Sequence, residues 1–294
     1  MSEIREKYIN LFTDYGFKRV FGSDINKELL IDFLNELLKS KKEKIKNITF
    51  LTSEQVGYTE IDRKAIFDLY CENEKGEKFI VELQKARQNH FKDRSVFYST
   101  FPIQSQGKKG DWDYKLKAVY AIGILDFIFD KDDLEKKDDF ITTVKLKDID
   151  TNKVFYDKLT YIYIEVPKFK KDLEEITDRF EKWIYAFRYL HRLQERPPKL
   201  QEEIFNKLFE IAEIAKFTKE ECIEYESSLK YYRDFMNSLN TAKEEGKLEG
   251  RIEGEKFKSI EIAKKLLKNG VDISLIEETT ELDRKEIEEL MKIT

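Results

Sequence analysis

An α/β fold with a mixed sheet flanked by helices, followed by an all-helical carboxyl-terminal region, is what this 294-residue sequence predicts. Three features carry that expectation. Segments of strand period and of helical period alternate as far as about residue 170. Val119 to Leu125 is a nearly continuous apolar run, as a strand covered on both faces requires. After Pro167 the pattern is helical throughout. The change divides the chain into three expected parts, 1–170, a helical extension over 171–244, and a terminal segment over 245–294.

Taken in order, Leu29, Leu30, Phe33, Leu34, Leu37 and Leu38 recur at helical spacing and predict a helix over 26–38, with Ser23 or Asp24 as N-cap. Beyond the lysine-rich turn at 41–46, Ile48, Phe50 and Leu51, then Val56 and Tyr58, read as a strand region. Two clear strands follow, Ala65 to Cys71 and Lys78 to Gln84, around the loop Glu72-Asn73-Glu74-Lys75-Gly76-Glu77. A short loop with Gly where φ > 0 is needed marks a hairpin. A helix is expected from Phe91 to about Ser105, and further strands over 140–146 and 159–166.

In the helical region Glu245-Gly246, Glu249-Gly250 and Glu253-Gly254 repeat every four residues. Each such glycine costs a helix about 1 kcal/mol relative to alanine. Close packing against another helix would offset that cost, so a homodimer through the carboxyl-terminal helices is expected; a frayed connector is the alternative. Segments 260–267, 274–278 and 283–292 have the layout of a helix-turn-helix. The last is acidic, with Asp283, Glu286, Glu288 and Glu289 against Arg284, Lys285 and Lys292, which suits a protein contact better than phosphates.

Composition narrows the classes. With 22 Phe and 15 Tyr the chain has ample material for a core. The amino terminus is charged and lacks an apolar run, so neither a signal peptide nor a membrane span is expected, and a cytoplasmic location follows. Cys71 and Cys222 read as free thiols, and two histidines make a zinc site unattractive. Net charge is −5. Yet from Gln84 to Lys117 eight basic residues, including Lys85, Arg87, Arg94, Lys108 and Lys109, stand against three Asp. Such a stretch could neutralise nucleic-acid phosphates or be a solvated helix face.

Strand alternation picks out the chemistry. It sets Ile66, Asp68 and Tyr70 on one face, and Ile80, Glu82 and Gln84 on one face of the next strand, with Phe79, Val81 and Leu83 turned to the core. The loop length brings Asp68 opposite Glu82, within a residue. Two carboxylates so placed repel unless one holds a proton or a cation sits between them. Magnesium prefers oxygen ligands at about 2.1 Å and keeps several waters, so Asp68, Glu82 and the Leu83 carbonyl would suffice. The alternative is an Asp and a Glu on a wet sheet face.

Asp68 followed by Glu82-Leu83-Gln84 resembles the D-(x)n-E-x-Q variant of the PD-(D/E)XK nuclease signature. Thr13 to Gly22, Phe33-Leu34-Asn35, the pair Arg94 and Tyr98 with Gln104 or Gln106 and Gly107, Glu165 to Phe169, the Glu-Gly repeat and the segment from Leu266 to Leu290 resemble the recombination-promoting nuclease, or transposase, family. The resemblance implies a restriction-endonuclease-like fold, DNA as partner, and endonuclease activity that depends on Mg2+ or Mn2+ and promotes recombination. Asp68 and Glu82 would be metal ligands and catalytic residues. Gln84 stands where the superfamily usually has Lys; its amide orients a water but is neither base nor charge. Lys85, next to it, is expected to point away, whereas Lys64 could supply the missing charge. Phe67 replaces the usual Pro before the first Asp. Arg94 and Tyr98, four apart on a helix, would hold a phosphate or brace the ligands. Asp14, Glu28 and Glu36 are the candidates for a further acid. A binding module that has lost cleavage, and an interaction protein built on the long helix, are the competing readings.

Overall fold

Six strands pair into one mixed sheet in the computed structural model, which describes residues 6–39, 41, 43–55, 65–107, 110, 113–129 and 139–293. The strands are β1 (Ile48–Phe50), β2 (Glu54–Gln55), β3 (Ala65–Ile66), β4 (Leu69–Asn73), β5 (Lys78–Gln84), β6 (Val119–Leu125), β7 (Ile141–Lys147) and β8 (Val154–Glu165). The sheet order is β1-β4-β5-β6-β8-β7, and β2 pairs with β3 separately. Strands β5, β6 and β8 run parallel and the outer pairings are antiparallel. Parallel neighbours need a crossover. Helix α3 (Phe91–Gln104) supplies the one from β5 to β6.

Both faces of the central strands are covered. Every residue of β6 is buried, which accounts for its unbroken apolar run. On one face Ile80 and Tyr70 cluster with Phe67, and Tyr98 and Phe101 of α3 pack against them. On the other, Phe79 and Val81 are fully buried, and Leu69 lies against the end of α1 (Asp14–Phe21) at Gly22. Helices α2 (Lys27–Leu37), α4 (Arg179–Tyr189) and α5 (Glu203–Ala212) gather with α1 around an aromatic core of Phe17, Phe21, Phe33, Trp183 and Phe187. Asp32 of α2 accepts the Trp183 indole N–H at 2.8 Å and pairs with Arg179 at 3.1 Å, tying α2 to α4.

The chain divides into two units, one ending at Lys230 and the other beginning at Tyr231. The division falls inside α6 (Lys219–Lys268), so α4 and α5 fall in the same compact unit as the sheet. In the second unit the end of α6 packs with α7 (Ile273–Thr280) and α8 (Arg284–Ile293) around Ala263, Ile276, Leu282 and Ile287. The segment 260–267 is therefore the last part of a long helix, not a helix of its own. Gly246, Gly250 and Gly254 lie inside that helix, and no atom stands within 4 Å of a Cβ added at any of them. The helix partner expected for the Glu-Gly repeat is not supplied by this chain's described residues.

Two expectations need correction. The strand foreseen over 65–71 is broken at Phe67 and Asp68, which leave the ladder between β3 and β4. The β8 strand begins five residues earlier than foreseen, because Val154 to Lys158 continue it as the exposed arm of a hairpin with β7. Val56, Tyr58 and Lys64 lie outside the described residues, as do Lys108 and Lys109.

Phe67 is 2% exposed and meets the rings of Tyr70, Tyr98 and Phe101 edge-on, so it fastens α3 to the sheet. Phe67→Ala is expected to cost about 3–5 kcal/mol of unfolding free energy, read from urea titration. A cost below about 1 kcal/mol would remove Phe67 from that role.

Candidate active site

The hairpin that presents the candidate residues is closed by its own side chains. Asn73 accepts from the backbone N–H of Lys75 at 3.0 Å and of Glu77 at 2.9 Å, and Gly76 takes a φ of +75° that a side chain would strain. Leu69 pairs with Val81 and Tyr70 with Ile80, a register that brings Asp68 level with Glu82. At that level the ladder gives way to side chains. The Asp68 N–H donates to Glu82 Oε1 at 3.2 Å, and the Leu83 N–H donates to Asp68 Oδ2 at 2.7 Å. Each carboxylate thus satisfies a backbone donor of the other strand, and the bend at Asp68 results.

The two carboxylates stand in a poorly solvated corner. Burial pushes the Glu82 carboxyl up to about 8, and the neighbouring Asp68 charge adds to the rise. Burial also raises Asp68, against the stabilising bond from the Leu83 N–H. Beside Glu82 in the sheet lies Gly123, where a Cβ would come within 3.2 Å of the Tyr163 ring. That position borders a small pocket lined by Glu82, Gln84, Arg94, Ser95, Tyr98 and Tyr163.

Helix α3 brings the cation. The Arg94 guanidinium donates to Gln84 Oε1 and, at 2.5 Å, to Gln88 Oε1, while its carbon lies 5.6 Å from the Phe91 ring centre and 5.7 Å from that of Tyr98. The Gln84 amide donates in turn to Glu82 Oε2 at 3.2 Å. Burial raises the Tyr98 phenol, and the Glu82 and Asp68 charges act on it in the same sense, so the phenol shares their corner.

From below, α1 contributes charge. Asp14 raises Asp68, whereas Lys18 and Lys85 lower it. Asp14 and Lys18 pair with each other at 3.0 Å. Lys85 is half-buried, and burial lowers its ammonium against the opposing pull of Asp14 and Asp68. Sequence alternation turned Lys85 away from the site. Its charge nevertheless acts on Asp68 and on Asp14 of α1.

The model of the PD-(D/E)XK nuclease family transposases matches residues 11–242. The chain belongs to this family. No curated protein and no solved structure matches it. The family model covers the whole sheet and stops short of the Glu-Gly repeat. Membership supports a nuclease-like function, and PD-(D/E)XK nucleases generally use divalent metals.

Of the candidate residues for this family's site, Asp68, Glu82, Leu83, Gln84, Lys85, Arg94 and Tyr98 converge on one corner. Arg87 is exposed just past β5. Among the three acids considered as an addition, Glu28 pairs with Lys207 at 2.6 Å and Glu36 with Lys39 at 3.8 Å, whereas Asp14 acts on Asp68. Lys18, at i,i+4 spacing from Asp14 on the same helix, also acts on Asp68. Among the described residues no three acidic, histidine or cysteine side chains cluster closely enough to hold an ion unaided.

A carboxyl raised from 4.5 to about 8 holds a proton in the folded state that the unfolded chain has already lost. Metal-free protein is therefore expected to lose stability as pH rises from about 4.5 to about 8, by up to about 1 kcal/mol per unit, and to level off above. Thermal melts across that range should show the slope in wild type and a flatter curve in Glu82→Gln. Equal slopes would sink the assignment.

Proposed function

We propose that this chain is a metal-dependent DNA endonuclease that promotes recombination. The observation that carries this reading is the pair Asp68 and Glu82, two half-buried carboxylates held together by reciprocal backbone bonds although the Asp68 charge disfavours that of Glu82. A hard cation relieves that repulsion, and the donor set is all oxygen. Asp68, Glu82 and the Leu83 carbonyl would hold Mg2+, or Mn2+, with Asp14 close enough to assist through water. When bound, the ion would acidify a water and neutralise charge on the phosphate.

The chain's own residues do the rest. Gln84 directs a water by its amide and cannot take its proton, which passes to solvent or to a phosphate oxygen. The water oxygen bonds to phosphorus as one phosphodiester P–O bond breaks, leaving a hydroxyl and a phosphate terminus. Lys85 and Lys18 keep positive charge beside Asp68, in the role foreseen for Lys64. Arg87, with Lys64, Lys108 and Lys109, is proposed to meet DNA phosphates outside the corner.

Supercoiled plasmid with purified protein and Mg2+ or Mn2+ tests this reading. Nicking is expected, with a loss of at least about 100-fold in Asp68→Ala and Glu82→Ala. Cleavage that survives both substitutions would overturn the site. Salt-sensitive DNA binding with no nicking under any metal would favour the cleavage-deficient reading, for which Gln84 at the lysine position is the motive.

The partner proposed for the Glu-Gly helix is a second copy of this chain. Residues 237–258 of α6 are all exposed, and a helix with three glycines and no covering face draws little stability from propensity alone. Light scattering on the full chain is expected to give a dimer and Gly250→Glu a monomer. A monomeric wild type would end the proposal.

A further inference from the structure

Gln84 leaves an electrostatic question that α3 answers. The family signature ends in lysine, and the strand position that should carry it holds a neutral amide. An amide has an accepting end and a donating end, and only the accepting oxygen can face a guanidinium. Here that oxygen receives a hydrogen bond from Arg94 Nη2. The donating nitrogen is thereby turned to Glu82 Oε2, at 3.2 Å. Arg94 is itself held in place, by Gln88 Oε1 at 2.5 Å and by the rings of Phe91 and Tyr98.

We propose that Arg94 is the positioning residue that allows glutamine to stand in the lysine place: it fixes the Gln84 amide toward Glu82 and brings the positive charge from helix α3 instead of from strand β5. The inference rests on the nuclease reading of the same site. It differs from a phosphate-binding role for Arg94, because the half-buried guanidinium already donates to two side-chain oxygens and lies near two rings.

Two measurements on the full-length protein test it. In plasmid nicking with Mg2+, Arg94→Gln is expected to lower kcat about 10–100-fold with KM for DNA and its salt dependence nearly unchanged. Arg94→Lys, which keeps charge and one donor, should retain most of the rate. Moving the charge back to the strand, in Gln84→Lys combined with Arg94→Gln, should recover at least about a third of the loss on a logarithmic scale. A loss confined to KM with a shallower salt slope would assign Arg94 to DNA phosphates and overturn the proposal, as would a double variant no faster than Arg94→Gln. The second measurement does not need cleavage. The Gln84 side-chain amide resonances, identified by their disappearance in Gln84→Leu, are expected to be shifted from free-glutamine positions in wild type and to collapse toward them in Arg94→Gln. Unchanged resonances would overturn the proposal even in an active enzyme. A wild type without nicking, but with that collapse, would count against the nuclease reading alone.

Discussion

Two backbone donors given up by the β-ladder organise the whole site. Where β3 and β4 would have run on as one strand, the Asp68 N–H turns to the Glu82 carboxylate and the Leu83 N–H to the Asp68 carboxylate. An unpaired backbone donor in a buried place is costly, so the exchange holds the bend as firmly as a ladder bond would. It also keeps together the two like charges that the register sets opposite each other. The bend then sends Phe67 to the same side as Tyr70, out of strand alternation, and into the rings of α3. Placement of α3, and with it Arg94 and Tyr98, follows from that one departure.

Electrostatically the corner is built from three directions. Strand β5 supplies carboxylate and amide, helix α3 supplies the guanidinium, and α1 supplies Asp14 with Lys18. The guanidinium, the Glu82 carboxylate, the amide and the α1 pair come from regular elements, whereas Asp68 comes from the break between β3 and β4. An acidic chain of net charge −5 can in this way keep a local cluster of cations beside its acids. Distribution, not the sum, decides what such a surface can approach.

Much of this was legible in the sequence. β-rich composition located β5 and an unbroken apolar run located β6 to the residue, the loop around Gly76 set the hairpin register, and the pairing of Asp68 with Glu82 came from counting alone. Alternation failed at Phe67, where a strand stops. Periodicity describes residues inside an element and is silent one residue beyond it. The long helix was cut short because 260–267 reads as a helix of its own, yet α6 runs through the glycine repeat and includes it. The place of Asp14 among three candidate acids needed the tertiary structure, because nothing in spacing relates α1 to the hairpin.

Holding Glu82 and Asp68 in a poorly solvated corner is a standing cost to the folded state, since both carboxyls are driven away from their ordinary range. The compensation is close by and of another kind. Phe17, Phe21, Phe33, Trp183 and Phe187 stack and cross at centroid distances of 5.4–6.5 Å, on the far side of the sheet from α3. Buried aromatic area of that extent, with pair geometry adding about 0.5–1.5 kcal/mol per contact, is of the scale needed to carry a disfavoured pair of charges. The sheet lies between the two, rigid enough to pass the support from one face to the other. A core that needed the carboxylates for its own stability would gain nothing from keeping them apart from a cation; a core that tolerates them leaves the corner ready to bind one.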